Sequence, residues 1–157
     1  MSYERVFGLS LHAYLADDWH LARRIDDRHT KTAMHFTGTA RFETMDATTL
    51  LYSEEGRLQN GALTLNASQR YRWLFDPGGA DVQFSDGRAF HRVAPRDNRA
   101  SAYHDCTPDR YDVRYRFETQ DRWYQHWTVT GPRKNYILES VFTRLHHAAY
   151  PVQSPRE

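Results

Sequence analysis

The residues best suited to chemistry lie in the second half of the sequence: His91, His104 and Cys106. In an extended segment, the His-x-Cys spacing of His104 and Cys106 places both side chains on the same side. With His91 nearby, the three could ligate zinc or a haem iron, because both metals accept imidazole and thiolate ligands. A paired Cys-x-x-Cys is absent. The alternation of the predicted strand that contains His91 also places this residue on the outer face. We therefore expect no bound metal and no cofactor, with Cys106 as a small buried side chain.

The same segment could also support acid–base catalysis. His104 and Asp109 could act as acid and base, and Cys106 could act as a nucleophile. Asp109 follows Pro108, however, and a turn aspartate that accepts backbone N–H bonds explains it equally well. Nothing in the sequence orients the pair, so enzymatic activity stays an alternative.

A second candidate site consists of polar residues on strand faces that are otherwise aromatic. Gln125, for example, shares its predicted inner face with Trp123 and Trp127, since alternate residues of a strand face the same side. Applied to each predicted strand, this alternation identifies the inward-facing residues, and we assign ten of them to ligand binding. The set is Arg23, Tyr52, Glu54, Gln69, Tyr71, Trp73, Arg92, Tyr115, Gln125 and Trp127.

Two arginines in this set define the expected ligand. An unpaired buried arginine is costly, so Arg23 and Arg92 must contact a carboxylate, bound water or an anionic ligand. A guanidinium group beside tyrosines in an aromatic cavity suits the two oxygens of a carboxylate, as in a fatty acid. An internal ion pair between Arg23 and Glu54 is the alternative, and the sequence leaves both open.

Nine segments with the period-two alternation of half-buried strands position these residues. The segments are residues 17–25, 31–44, 48–55, 63–75, 81–85, 88–93, 111–118, 123–130 and 136–144. Gly56 and Asn60-Gly61 are predicted to form the turn after residues 48–55. A helix is predicted over residues 6–15, and residues 94–102 are predicted to form a mobile polar loop.

Sequential hairpins favour an up-and-down antiparallel barrel over a β-sandwich, because a sandwich needs longer connections between its two sheets. We therefore predict an all-β barrel of about eight to ten strands with a short N-terminal helix. The 157 residues fit one domain, with the helix at 6–15, the barrel at 18–145 and a flexible tail at 146–157. A barrel of this size holds its own side chains plus one small ligand.

The composition excludes several classes of protein. Hydrophobic residues make up 39% of the chain and aromatic residues 14%, which excludes a disordered chain, and no stretch approaches the roughly 20 apolar residues that span a bilayer. The net charge is +1, so no overall field attracts nucleic acid or an anionic membrane. Because no secretory signal is present and Cys106 is the single cysteine, we expect a cytoplasmic monomer or homodimer whose partner is a small molecule.

Several short motifs are spread over nearly the whole chain. They are Gly38-Thr-Ala-Arg-Phe42, Tyr71-Arg-Trp73-Leu-Phe75, Asp86-Gly-Arg-Ala-Phe-His91, His104-Asp-Cys106 and Trp127-Thr-Val-Thr-Gly-Pro-Arg-Lys-Asn-Tyr136. Their order resembles the domain-of-unknown-function family 6314. That family has no established activity, so the resemblance implies a self-contained domain and no particular reaction.

A tryptophan near the start of the chain and an arginine near its end resemble a residue pair found in a wider group of β-barrel proteins. Trp19 on the first predicted strand and Arg144 on the last are similar to the tryptophan and arginine that stack on each other in lipocalins and other calycins. Asp17 stands where the lipocalin Gly-x-Trp motif has its glycine, which separates this chain from the lipocalins proper. The resemblance implies a calycin-like (lipocalin-like) β-barrel whose floor is closed by Arg144 on Trp19.

Together these observations favour a calycin-like barrel that binds a small, partly apolar, anionic molecule, fatty-acid-like or otherwise, in its interior. Two alternatives stay open. One is a small barrel enzyme that uses His104 and Asp109 as acid and base. The other is an interaction domain with a filled core and no ligand, which the presence of a cavity would argue against.

Overall fold

The computed structural model describes residues 5–146, which form a β-barrel with one short helix. A two-stranded hairpin, β1 (Arg5–Val6) and β2 (Leu9–Ser10), leads into helix α1 (Leu11–Leu15). The barrel strands are β3 (Asp18–Asp27), β4 (Thr32–Thr44), β5 (Thr49–Asn60), β6 (Leu63–Asp76), β7 (Gly79–Phe84), β8 (Ala89–Val93), β9 (Arg99–Cys106), β10 (Asp109–Thr119), β11 (Arg122–Thr130) and β12 (Asn135–Arg144).

The ten barrel strands form one antiparallel sheet in the order β8-β7-β6-β5-β4-β3-β12-β11-β10-β9. Consecutive strands pair with each other at every step of the chain except between β8 and β9, and β3 also pairs with β12. The edge strands β8 and β9 lie side by side, connected by residues 94–98, so the sheet is nearly closed. This arrangement confirms the predicted up-and-down, calycin-like barrel.

Helix α1 covers one end of the barrel, which we call the closed end. Tyr14 is buried there, and its hydroxyl donates a hydrogen bond to the Thr119 carbonyl (2.6 Å). Trp19 packs against Tyr14, is fully buried, and donates from Nε1 to the Leu15 carbonyl (3.1 Å). The Arg144 guanidinium lies 4.2 Å from the centre of the Trp19 ring. The tryptophan–arginine stack implied by the calycin likeness is therefore present at the barrel floor.

The predicted helix over residues 6–15 is longer than the helix observed. Residues 5–10 form a hairpin instead, because Phe7 and Gly8 have φ angles of 51° and 79°, which an α-helix does not allow. The helix begins after Ser10, whose Oγ accepts a hydrogen bond from the Ala13 N–H (3.1 Å). This N-cap satisfies one of the free N–H groups of the first turn.

Strand β5 continues to Asn60, beyond the predicted end at residue 55. Gly56, predicted as part of a turn, lies opposite Gly38 of β4 in the sheet. A Cβ atom on Gly38 would lie 2.2 Å from the Glu55 carbonyl oxygen, so the two strands approach too closely there for any side chain. The glycines therefore allow a close strand contact and do not end the strand.

Residues 99–106, assigned in part to a mobile loop, form strand β9. Two of its inward residues, Ala100 and Ala102, are small and lie opposite Tyr115 and Val113 of β10. Small inward residues leave the large side chains of β10 to fill the interior, and the alternation of β9 is therefore too weak to mark it as a strand. Only residues 94–98 connect the two edge strands.

No helix within residues 5–146 is long and apolar enough to cross a membrane. The barrel strands begin at Asp18 and end at Arg144. The predicted flexible tail lies outside the described residues, apart from His146.

Candidate ligand-binding cavity

A cavity of about 370 Å³ occupies the half of the barrel away from α1 and reaches the solvent-exposed Cys106 in the β9–β10 hairpin. Most of the residues that we assigned to a site from the sequence line it. They are Arg23, Tyr52, Glu54, Gln69, Tyr71, Trp73, His91, His104, Cys106, Tyr115, Gln125 and Trp127. Arg92 and Asp109 do not line it.

One wall of the cavity carries a buried ion pair between Arg23 and Glu54, whose side chains are 9% and 4% exposed. The guanidinium group donates from Nη1 to Glu54 Oε2 (2.6 Å) and from Nη2 to Oε1 (3.1 Å), and its Nε donates to Ser140 Oγ (2.7 Å). Tyr52 completes the network by donating to Glu54 Oε1 (2.5 Å). The internal pair, left open by the sequence, is therefore formed.

The ion pair sets the electrostatics of this wall. Burial by itself would lower the pKa of Arg23, but the hydrogen bonds and charge of Glu54 outweigh it and raise the pKa. Burial and the Glu54 carboxylate raise the pKa of Tyr52 well above its ordinary value, and the same causes raise the pKa of Tyr71 to about 12. The charge of Arg23 is neutralised within the protein, and the tyrosines stay protonated.

Arg92 faces outward, contrary to its predicted inward orientation. Its guanidinium group contacts Asp76 (2.9 Å) and Asp81 (3.1 Å) on the outer surface. The β7–β8 register explains the error, because Val82 pairs with His91 whereas Gln83 pairs with Ala89. Phe90 is thus the additional residue of a β-bulge, and the alternation shifts by one position after it.

The same bulge turns His91 into the cavity, so its predicted outward orientation is wrong. Phe90, the residue next to it, lines the cavity as well. A regular strand would point consecutive side chains to opposite faces, so only the bulge allows both to be inside. The His91 Nε2 atom lies 2.8 Å from the Tyr115 hydroxyl, to which Gln125 Nε2 donates (3.2 Å).

His91 and Tyr115 form an uncharged polar pair in the middle of the cavity. Burial, with a smaller contribution from His104, lowers the pKa of His91 to about 3. Burial also raises the pKa of Tyr115 above its ordinary value. Both groups are therefore neutral near pH 7, and they offer hydrogen bonds without charge.

Stacked aromatic rings form the wall next to this polar pair. The Phe90 ring lies between Phe84 (centroid distance 4.5 Å, interplanar angle 23°) and Trp127 (5.2 Å, 6°). His104 meets Phe90 edge-on (5.4 Å, 89°). Parallel rings at these distances present flat apolar surfaces, against which another flat molecule can stack.

The structure separates Asp109 from the other residues considered for metal binding or catalysis, because His91, His104 and Cys106 line the cavity and Asp109 does not. Asp109 Oδ2 lies 3.3 Å from Lys134 Nζ, and within residues 5–146 no hydrogen bond joins Asp109 to His104. No cluster of three or more His, Cys, Asp or Glu side chains in the described part of the chain could hold a metal ion. Cys106 is exposed, not buried as predicted, because it ends β9 at a hairpin.

Eight cavity residues were absent from the site assigned from the sequence. They are Val82, Phe84, Phe90, Tyr111, Trp123, Val129, Tyr136 and Leu138. Most of them share the inward alternation of the assigned residues, so the period-two pattern could have identified them. The set assigned from the sequence consists largely of polar groups and two tryptophans, whereas the walls of ligand cavities are mainly apolar.

Comparison with known proteins gives a family and a fold. Residues 15–144 match the family of unknown function DUF6314. None of the curated proteins matches the chain.

Solved structures with similar folds share little sequence with this chain. An S-type phycobiliprotein lyase from Guillardia theta has a TM-score of 0.66 at 10% identity, over 87% of this chain and 91% of that one. A DUF3598 protein of unknown function from Nostoc punctiforme has a TM-score of 0.61 at 9% identity, over 92% of this chain. The match spans 51% of that protein, about half its length. At these identities the likenesses show the β-barrel fold alone.

Proposed function

Because the chain belongs to the DUF6314 family, whose function is unknown, we propose its function from the cavity: it binds one small, flat, mainly apolar molecule inside the barrel. The observation that carries this proposal is the cavity of about 370 Å³ with stacked aromatic walls. Small-molecule sites usually have volumes of about 300–1,000 Å³, apolar walls and a few polar groups. A filled-core interaction domain would have no such space.

Three cationic groups that could attract an anion, Arg23, Arg92 and Lys134, are already paired with carboxylates. Arg23 is bonded to Glu54 inside the barrel, and Arg92 is bonded to Asp76 outside it. Lys134 contacts Asp109. An anionic ligand would have to displace one of these partners, and a buried carboxylate without its cation is costly. These pairings favour an uncharged ligand over the anionic ligand expected from the sequence.

Binding can be tested with the neutral fluorescent probe N-phenyl-1-naphthylamine and two tryptophan variants on the same strand. Leu138 of β12 lines the cavity, whereas its neighbour Ile137 has the opposite orientation. We expect saturable binding to the wild type, with an affinity loss of tenfold or more in Leu138→Trp because the indole ring occupies the cavity. Ile137→Trp should bind the probe as the wild type does.

Two results would contradict the proposal. One is the absence of saturable probe binding to the folded wild-type protein. The other is equal binding by Leu138→Trp and Ile137→Trp, which would place the probe outside the barrel. Native mass spectrometry of the purified protein, compared with its denatured mass, would identify a ligand that copurifies.

A further inference from the structure

Strand β6 has a free edge at the open end of the barrel. It pairs with β5 from Leu63 onward, whereas its pairing with β7 begins only at Tyr71. Near the other end of the strand, Phe75 contacts His12 of α1, so the segment without β7 lies at the end away from the helix. Within the described part of the chain, residues 63–70 therefore have a neighbouring strand on one side alone. We call this segment the free edge.

Every second residue of the free edge directs its backbone N–H and C=O away from β5. The Arg70 carbonyl accepts a hydrogen bond from Ser85 Oγ (3.1 Å), just after β7, so Arg70 points its backbone groups to the β7 side. The β5–β6 register is continuous along this segment. Because the backbone groups of successive strand residues point to opposite sides, Thr64, Asn66 and Ser68 share the orientation of Arg70. The free edge thus presents a row of donors and acceptors.

Two exposed leucines lie on one face of the free edge. Leu63 and Leu65 share the face of β6 from which Tyr71 and Trp73 line the cavity. They are nevertheless 55% and 47% exposed to solvent. Unpaired backbone groups beside exposed apolar side chains are a template for the addition of another strand.

The composition of the free edge favours a second copy of this chain as that strand. Residues 63–69 read Leu-Thr-Leu-Asn-Ala-Ser-Gln, without a charged residue or a proline, which are the usual protections of an edge strand. On β5, Glu55 and Arg57 lie opposite Ser68 and Asn66 and have opposite charges. Two copies can therefore meet without electrostatic repulsion, whereas a charged peptide would find no complementary row of charges.

We propose that two copies of the chain dimerise by antiparallel pairing of residues 64–68 around a two-fold axis at Asn66. Asn66 then lies opposite the partner's Asn66, and Thr64 lies opposite the partner's Ser68. Each such pair exchanges two hydrogen bonds through the backbone groups that point away from β5. None of the paired residues lines the cavity, so this inference does not depend on the proposed function.

The same pairing covers the exposed leucine nearest the axis. A two-fold axis perpendicular to the sheet keeps the inner faces of both copies on one side, so Leu65 lies opposite the partner's Ala67. The partner's Leu65 is its diagonal neighbour at about 7–8 Å, within reach of a long side chain. Both copies contribute the same residues, as a closed two-fold interface requires.

Analytical ultracentrifugation of the full chain tests the proposal. We use concentrations between about 1 and 500 µM, which include the micromolar range of small interfaces. The wild-type mass should rise toward twice the 18.5 kDa of one chain. Leu65→Lys should weaken dimerisation by about tenfold or more, because it brings two like charges together at the axis. Met45→Lys, at an apolar residue of similar exposure (51%) in the β4–β5 turn, is the matched control and should dimerise as the wild type does.

A second variant tests the backbone bonds. Asn66→Pro removes an N–H that points away from β5, which an edge strand tolerates within one copy but which the dimer needs. We expect this variant to be monomeric over the same concentrations. Circular dichroism confirms that it keeps the wild-type strand content.

Disulfide cross-linking tests the register. In a Cys106→Ser background, which removes the free cysteine, Asn66→Cys should form a covalent dimer about tenfold faster than Ser68→Cys. The Cα atoms of two residues at the axis are about 5.5 Å apart, within the reach of a disulfide. Ser68 and the partner's Ser68 would be about 14 Å apart.

Several results would overturn the proposal. A wild type that stays monomeric at every concentration would leave the free edge to a strand of another protein. A dimer that survives both Leu65→Lys and Asn66→Pro would use another surface. Equal weakening by Met45→Lys would show that the effect of lysine is not specific to this edge. Equal rates of cross-linking at residues 66 and 68 would contradict the axis at Asn66.

Discussion

Tryptophan side chains have different surroundings at the closed end of the barrel and in its cavity half. At the closed end, Trp19 has an acceptor for its indole N–H in the Leu15 carbonyl and a stacked cation in Arg144. In the cavity half, the indole N–H groups of Trp73 and Trp123 have no partner in the described chain. The closed end thus satisfies the donor of its tryptophan within the chain, although His12 Nε2 on α1 has no partner, whereas the cavity half contains space that an external molecule can occupy. The difference separates residues that close the barrel floor from residues that line the cavity.

The largest expected difference between the two regions is in stability. Trp19→Ala should lower the free energy of unfolding by about 3–5 kcal/mol, because it empties a fully buried site. Trp127→Ala, on the half-buried cavity wall, should cost only about 1–2 kcal/mol. Guanidinium chloride denaturation measures both values. Equal losses in the free energy of unfolding would mean that Trp127 of the cavity wall stabilises the barrel as much as Trp19 does.

The ion pair is the one part of the cavity half that we expect to behave like the closed end. Glu54→Leu should cost about 3 kcal/mol, because it leaves Arg23 buried without its carboxylate. The double variant Arg23→Met/Glu54→Leu should recover most of that loss, since neither charge is then buried unpaired. Urea denaturation of the three proteins tests this. A double variant no more stable than Glu54→Leu would contradict it.

The pH dependence of stability should reveal the buried histidine of the cavity. Burial lowers the pKa of His91 to about 3 in the folded protein, below the unfolded value of about 6.5. The folded state therefore resists protonation, so the stability that neutral His91 contributes is complete above pH 6.5 and is lost as the pH falls toward 3. The loss between pH 6.5 and 4.5 should be about 2 kcal/mol.

Comparison with His91→Phe isolates this contribution, because the variant lacks the titrating ring and should lose less stability over the same pH range. His35→Gln, on an exposed position of β4, controls for removal of a histidine. Denaturation curves at several pH values supply the measurement. Parallel pH profiles for wild type and His91→Phe would show that His91 is not held neutral by burial.

The smallest expected effect concerns the arginine that the bulge turns outward. Arg92→Ala should change stability by about 1 kcal/mol or less, because its ion pairs with Asp76 and Asp81 are exposed to solvent. Probe binding in the cavity should not change. A clear loss of N-phenyl-1-naphthylamine affinity would mean that Arg92 takes part in ligand binding although it faces outward.

The sequence predicts the barrel well because alternation is a property of each strand by itself. Trp123, Gln125 and Trp127 alternate with outward residues, and the structure places all three on the cavity wall. The same rule identifies Tyr52 and Glu54 on β5 and Tyr71 and Trp73 on β6. Period-two patterns therefore predict both the fold class and most of the residues that line the cavity.

The errors arise where a residue depends on its partner strand. Phe90 is a bulge residue only in relation to β7, so nothing in its own segment indicates that His91 turns inward and Arg92 outward. Gly56 resembles a turn residue until Gly38 is seen opposite it. The Arg23–Glu54 pair is no error, since the sequence names it as one of two alternatives, but the choice between them stays open because the two residues lie on different strands, β3 and β5. Information of this kind is not local, and a single sequence does not contain it in readable form.

The pairing of β3 with β12 has a consequence for how the protein folds. The strands from β3 to β8 and those from β9 to β12 are two runs of sequential hairpins, each of which can form from local contacts. Among residues 5–146, the two runs join in the sheet only through β3 and β12, where Trp19 meets Arg144 although the two residues lie near opposite ends of that range. Closing so long a loop costs more chain entropy than closing a hairpin, and distant contacts slow folding. We therefore expect both runs to form early and the Trp19–Arg144 contact to appear in the rate-limiting step.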